Sequence, residues 1–422
     1  MSGCFVEMRE GVIMLVLPIV IAVHVSAQLF TDVNDRLIKT LQVKTAGELI
    51  SVPCIDLNGG KQIEINFDAL SAGFNRYAYS IIHCDADWKP SVLTPVEYMS
   101  GFQGLVINDY ASGMGTTVSY TNYRLLLPNR DVQFKVSGNY AVRICEEDKP
   151  GHIVLTACFS VVEPLVNISA TVTGNTLIDT YASRQQVDFT VNHKALSIPY
   201  PQSELKVRVC QNNRRDNVVT DILPSGISVG RIEYANLREL IFEAGNEYRR
   251  FEFLSPRYNG MHVDGVSFHH PYYHVTLASD ILRSARSYQY DQDQNGRFFI
   301  NCVNCNDPDV QADYFFVHFT LAADLLAGGS VHLAGDLCNN VLDEKSKMGY
   351  NRETGRYEKS LLLKQGNYNY HYLFLPNGQS RASATLTEGD YYQSENEYGI
   401  YIYYRPQGER YDRLIGAERI CR

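Results

Sequence analysis

The chain has 422 residues, of which 45% are hydrophobic, and a formal net charge of −9. That length exceeds one small sandwich and suits two to four domains, with enough apolar side chain for a buried core in each. A mildly acidic chain without a Lys/Arg run repels phosphate backbones, which excludes nucleic acid as the expected partner.

The N-terminus begins with an apolar stretch at residues 11–25, GVIMLVLPIVIAVHV, followed by Ser26, Ala27 and Gln28. It is short for a membrane span and Pro18 interrupts it. Small side chains at Val25 and Ala27 fit a leader-peptidase site, so a signal peptide at residues 1–27, cut between Ala27 and Gln28, is expected. Gln28, not Cys, stands directly after the cut, so a lipid anchor is not expected. Cys4 lies in the leader; the other nine cysteines are spread thinly rather than clustered as in a disulfide scaffold.

Beyond the leader, short alternating runs bounded by Gly, Asn, Asp and Pro predict antiparallel sheets. The 29 tyrosines against a single tryptophan lean the same way, since Tyr suits strand faces. A first module, residues 28–164, holds strand candidates at 62–67, 76–83, 123–127 and 140–145. Pro164 marks a junction. The second module, 165–309, carries QQVDFTVNH, LKVRVCQN, RIEYA and RRFEFL. The third, 310–422, opens with DYFFVHFTLA and closes with EYGIYIYYRP. Short helices are expected only near 235–242 and 279–285. The fold expected is all-β, with three consecutive Ig-like β-sandwich domains after a cleaved signal peptide.

Each motif that might carry chemistry has a simpler structural reading. Residues 226–230, GISVG, match the nucleophile pattern GxSxG, but a strand-like run follows where that elbow needs a helix, so a turn is expected. Residues 291–296, DQDQNG, begin like a calcium loop, yet the twelfth position is Cys302; Asn295-Gly296 reads instead as a hairpin turn. Cys302 and Cys305 form a lone CxxC running into a loop, without the helix of a redox motif or the further ligands of a zinc site. His269, His270 and His274 read as a polar strand edge. Asp85 and Asp87 flank Trp88; these are expected to be solvated turn acids beside a core plug rather than a glycosidase pair. No catalytic residue, cofactor, metal or small-molecule substrate is therefore expected. Aromatic residues anchor interfaces, and Trp88, Tyr98, Phe102 and Tyr110 are the partner-binding candidates.

The block HCDADWKPSVLTPVEYMSGFQ at 83–103, followed by NYRLLLPN and SGNYAVRICEE, resembles the N-terminal domain of the type 9 secretion system plug protein family. The similarity continues through VRVCQNNRRDN, AGNEYRRFEFLS, DQDQNGRFFI, KQGNYNYHYLFLPNG and YYRPQGERYDRLIG, in order along the chain. The resemblance implies a non-enzymatic periplasmic protein, peripherally held on the inner face of the outer membrane and monomeric alone. Its implied role is to bind and close the periplasmic mouth of the outer-membrane translocon β-barrel. The third module, with SVHLAGDLCNN, is similar to early-set Ig-like modules that include glycogen-binding domains, but Asn340 and Tyr357 stand where those modules offer tryptophans. An exported carbohydrate-binding protein is the alternative expectation.

Overall fold

The computed structural model describes residues 27–422 apart from 72 and 195; the signal-peptide expectation for residues 1–26 lies outside the described residues. Ala27 and Gln28, either side of the expected cut, are exposed. The described residues form three β-sandwiches with three separate hydrophobic cores.

In the first sandwich, one sheet runs Asp32–Val33, Ile153–Val162, Gly138–Glu146, Tyr77–Cys84, Leu105–Val106, with Cys54–Asp56 added in parallel to Ile153–Val162. The facing sheet runs Ile38–Thr45, Ile63–Ala69, Thr121–Leu127, Tyr110–Ser112. Alternation sends Ile63, Ile65 and Phe67 inward against Tyr140, Val142, Leu155 and Phe159. Yet every residue of Ile63–Ala69 is buried. The outward-facing Glu64, Asn66 and Asp68 are covered in turn, Asn66 and Asp68 by contacts with the third sandwich. A continuous run of burial with polar residues on the second face is thus the mark of an interface between modules. One backbone position in the SGNYAVRICEE block requires glycine: Gly138 has φ +142°, and a Cβ there would lie 2.3 Å from His83 Nε2.

The order of the other two sandwiches differs from a simple series. Asn167–Thr173, Arg184–Asn192, Arg231–Tyr234 and Gly226–Ser228 form one sheet of the second. Its other sheet is Val219–Thr220, Leu205–Gln211, Glu397–Tyr404, Arg413–Cys421, so its last two strands come from the C-terminus. Tyr398, Ile400, Ile402 and Ile415 share one core with Val187, Phe189 and Val209. The third sandwich is inserted between the two parts. Arg249–Phe253, Gly366–Pro376, Phe298–Ile300 and Gly329–Ala334 make one of its faces. Val263–His269, Tyr272–Leu277, Tyr314–Ala322, Arg356–Lys364 and Gly349–Asn351 make the other. The expected boundary at 309/310 therefore falls inside one core, because Phe251, Phe253, Phe298 and Ile300 pack with Phe315, Val317 and Tyr370. The second module is discontinuous and the third ends before the last two strands.

The helix expectations also shift. Residues 238–240 form only a 3₁₀ turn leading into the strand Ile241–Glu243, and Asp280–Ile281 is a short strand. The four-residue helices are Pro95–Tyr98, Pro201–Glu204 and Pro308–Gln311, each opening on proline. Proline suits that position because its missing N–H has no partner in a first turn. No helix among the described residues is long and apolar enough to cross a membrane.

Candidate functional site

Tyrosine is not confined to half-buried faces. Tyr123, Tyr140, Tyr314, Tyr370, Tyr372, Tyr398 and Tyr403 are fully buried, each hydroxyl finding an acceptor. Two of those acceptors, Asp68 for Tyr314 and Asn139 for Tyr403, belong to another sandwich, and these contacts lead to the joints between modules.

Between the first and third sandwiches, Asp68 is completely buried and its Oδ2 accepts from Lys364 Nζ and Tyr314 Oη, both at 2.6 Å. Asn122 Nδ2 donates to Oδ1 at 2.8 Å. Burial raises the Asp68 carboxyl; Lys364, Tyr314 and Asn122 oppose that shift. Lys364 Nζ also donates to the Asp309 carbonyl at 2.6 Å and sits over the Tyr120 ring. Between the first and second sandwiches, Asp412 is buried and takes Lys206 at 3.0 Å and Arg405 at 2.7 Å, while accepting from the Ala86 amide. Arg405 reaches Asp85 as well, and Tyr403 Oη donates to Asn139 Oδ1 at 3.0 Å. Between the second and third, Arg297 makes a two-point contact with Glu397, which also faces Arg419. All three joints thus contain buried, hydrogen-bonded charge, which fixes geometry more than it adds stability.

The candidate residues separate on this frame. Tyr98 is buried and packs under its own loop. It ends the helix Pro95–Tyr98, donates to the Ile81 carbonyl at 2.7 Å and packs near His83 and Tyr140. Trp88 is half-buried over Cys84, Ala141 and Cys158, with its backbone at φ 63° and its carbonyl accepting from Leu29. Its ring covers the face of that sheet turned away from the main core. Phe102, by contrast, is 79% exposed, and the same loop presents Val92 and Val96 at 65% and 73%. Tyr110 is partly exposed and pairs with Phe74, ring centroids 4.4 Å apart. Phe74, Val92 and Val96 are exposed as well, and their sequence signal is an apolar side chain beside Gly73, Ser91 or Pro95.

The chemical motifs resolve into structure. Gly226–Ser228 is a strand turning into Arg231–Tyr234, and Ser228 Oγ donates to the Arg231 carbonyl. In DQDQNG the Asn295-Gly296 turn is present, but the strand after it, Phe298–Ile300, pairs with Gly366–Pro376 and not with the preceding segment, so no hairpin forms. Asp293 caps that turn by accepting from the Asn295 amide at 2.7 Å, and burial pushes its carboxyl up to about 7. Cys302 and Cys305 are joined as a disulfide. Asp85 and Asp87 are engaged by Arg405 and Lys89. Tyr357 is buried with its hydroxyl accepting from the Leu326 amide, and Asn340 donates to Asp336; neither presents a platform for a sugar ring.

Two cavities lie along the joints. One of about 250 Å³ opens where all three sandwiches meet, lined in part by Phe30, Trp88, Arg215, Arg297, Asp336 and Tyr401. Arg215 stacks on Phe30 at 3.4 Å, and Arg297 is paired with Glu397. Burial pushes the Asp336 carboxyl up to about 6, against the pull of Arg297. The other, about 310 Å³, separates Asp32–Leu41 from the third sandwich at Leu363 and Tyr368. Part of their charged lining is paired within the protein, Arg214 with Asp216, Arg297 with Glu397 and Lys345 with Asp32. Exposed apolar side chains open to a large partner include Val92, Val96 and Phe102 on the first sandwich.

Fold and site define an all-β, multi-sandwich protein whose charged side chains lock its modules together. Residues 38–163 match the family described as type 9 secretion system plug protein 1st domain. The chain is also similar, at 63% identity and a TM-score of 0.93, to a hypothetical protein from Parabacteroides merdae whose crystal structure was solved at 2.30 Å; the match covers 94% of this chain and 100% of that one. No curated protein matches. The first sandwich is thus the domain this model describes, the first domain of type 9 secretion system plug proteins.

Proposed function

We propose that this protein is a non-enzymatic periplasmic subunit of the type 9 secretion system that binds the periplasmic opening of the outer-membrane translocon barrel and occludes it. The observation that carries the reading is the match of the first sandwich to the plug domain. A barrel wide enough for folded cargo has a water-filled lumen that leaks unless something rigid closes it. Three sandwiches joined through buried charge meet that mechanical requirement. Val92, Val96 and Phe102 supply exposed apolar anchors on the plug domain itself.

The test is affinity purification of the tagged protein from outer membranes solubilised in mild detergent, with bound proteins identified by mass spectrometry. A very large β-barrel is expected, and less of it when the barrel is loaded with cargo. Repeated recovery without any barrel would overturn the assignment.

A further inference from the structure

The outer face of the third sandwich carries a histidine arrangement of which the sequence discloses only part. His269 ends the strand Val263–His269, His274 lies in Tyr272–Leu277, and His318 lies in Tyr314–Ala322. The first two strands pair antiparallel, and the second and third pair parallel. Val275, Leu277, Val317 and Phe319 point into the core. Strand alternation therefore sends His274, Phe316 and His318 to the opposite face, with His269 beside them.

His274 Nδ1 and His318 Nε2 are 2.9 Å apart, and their rings are parallel within 8°. The other nitrogen of His318, Nδ1, is 2.7 Å from Ser360 Oγ on the next strand. The His269 ring meets His274 edge-on, with centroids 5.1 Å apart. Phe316 stacks on His274 and fixes its plane.

We propose that His269, His274 and His318 form a binding site for a divalent transition-metal ion of the zinc class, with Ser360 orienting His318. Imidazole nitrogens are borderline ligands suited to Zn²⁺, and three of them leave a fourth position for water. A serine on the far nitrogen of His318 is the outer partner that metal-bound histidines commonly have. With His318 carrying its proton on Nδ1 toward Ser360, the proton between the rings belongs to His274 Nδ1; its transfer to His274 Nε2 leaves both rings neutral, with His274 Nδ1 and His318 Nε2 free to ligate. Their nitrogens then separate from 2.9 Å to the roughly 3.3 Å that two ligands about 2.0–2.1 Å from a tetrahedral ion require. His269, exposed at its strand end, has room to turn in as the third ligand.

A second group supplies an internal control. Asp35, Glu146 and His152 of the first sandwich bring ligand atoms within 4.8 Å of one another, which the three histidines do only once His269 has turned in, but Glu146 is already held by Lys149.

The experiment titrates Zn²⁺ into the full mature chain, without a polyhistidine tag and stripped with chelator, by calorimetry. X-ray absorption of the loaded wild-type protein then reads the ligands. One zinc per chain is expected, with imidazole scattering from three nitrogen ligands. His274→Ala and His318→Ala are each expected to weaken binding by at least about tenfold, the lower end of what loss of metal-site partners costs. His270→Ala and His152→Ala should leave it unchanged. Equal affinity in His274→Ala and His318→Ala overturns the site, as does loss on His152→Ala or a spectrum without imidazole ligands. The absorption result needs no variant to fold.

Discussion

Tyr98 and Phe102 stand four residues apart in one loop and have opposite fates. Tyr98 is drawn under the plug domain because the helix Pro95–Tyr98 turns its side chain toward His83 and the Ile81 carbonyl. Phe102 follows the tight backbone of Gly101, whose φ of +120° sits against the Asp131 carbonyl, and emerges into solvent. Their spacing in sequence contained no such distinction, since both read as aromatics among turn residues. Tyr98→Ala is expected to cost about 3–5 kcal/mol, the usual range for removing a large buried aromatic. Phe102→Ser should stay within about 0.5 kcal/mol of wild type, as surface substitutions do. Urea unfolding monitored by fluorescence separates the two, and a large loss on Phe102→Ser would show that its ring is part of the core.

Glu388 is a residue-scale case where pH supplies the readout. It is fully buried; against the burial that would raise its carboxyl, Arg249 and Arg283 hold it down at about 2. A carboxyl with a lowered folded-state value stabilises the protein above its ordinary range and loses that contribution as pH falls. Here the loss runs from about 4.5 down to about 2. Glu388→Gln should therefore be less stable than wild type by about 3–5 kcal/mol at pH 7, the cost of leaving buried arginines without their carboxylate. The gap should close as both proteins are unfolded at successively lower pH through that window. A gap independent of pH would mean that the pair adds packing rather than charge.

At the scale of elements, the strands of the first sandwich were legible because alternation and turn residues agree there: the expected strand at 140–145 is the inner part of Gly138–Glu146, and that at 76–83 matches Tyr77–Cys84 within a residue. The short helices were not read, although TPVE at 94–97 carries a threonine cap, a proline start and a returning glutamate, which form a capping box. The misplaced module boundary has a different cause. Periodicity reports that EYGIYIYY is a strand, but not which core receives it, and pairing with Leu205–Gln211 across nearly 190 residues leaves no local mark. This insertion makes a prediction of its own. A chain stopped after residue 394 keeps every strand of the third sandwich but removes Glu397–Tyr404 and Arg413–Cys421 from the second. The truncated protein should lose the second core, seen as rapid proteolysis within residues 165–245, while the third resists. Cleavage confined to 310–394 would instead support a third module that needs the C-terminal strands.

For the whole molecule, the three joints decide whether the sandwiches behave as beads on a string or as one body. Ordinary contacts between domains are modest and permit relative motion. Here Asp68 and Lys364, at 0% and 1% side-chain exposure, meet at 2.6 Å in the seam between the first and third sandwiches. Asp68→Ala strands a buried ammonium, for which a penalty of about 3–5 kcal/mol is expected. Asp68→Ala combined with Lys364→Met removes both charges and should recover most of that stability, because the desolvation cost disappears with the pair. Differential scanning calorimetry distinguishes the consequences. Wild type should unfold in one dominant transition, the single variant should show an earlier transition as the seam opens, and the double variant should move back toward one. If the single variant melts like wild type, the seam does not couple the modules, and rigidity no longer supports the proposed closure of a channel. If the double variant regains stability but binds the barrel poorly, the buried pair serves to fix the angle between the plug domain and the third sandwich, and orientation rather than stability is what the charge secures.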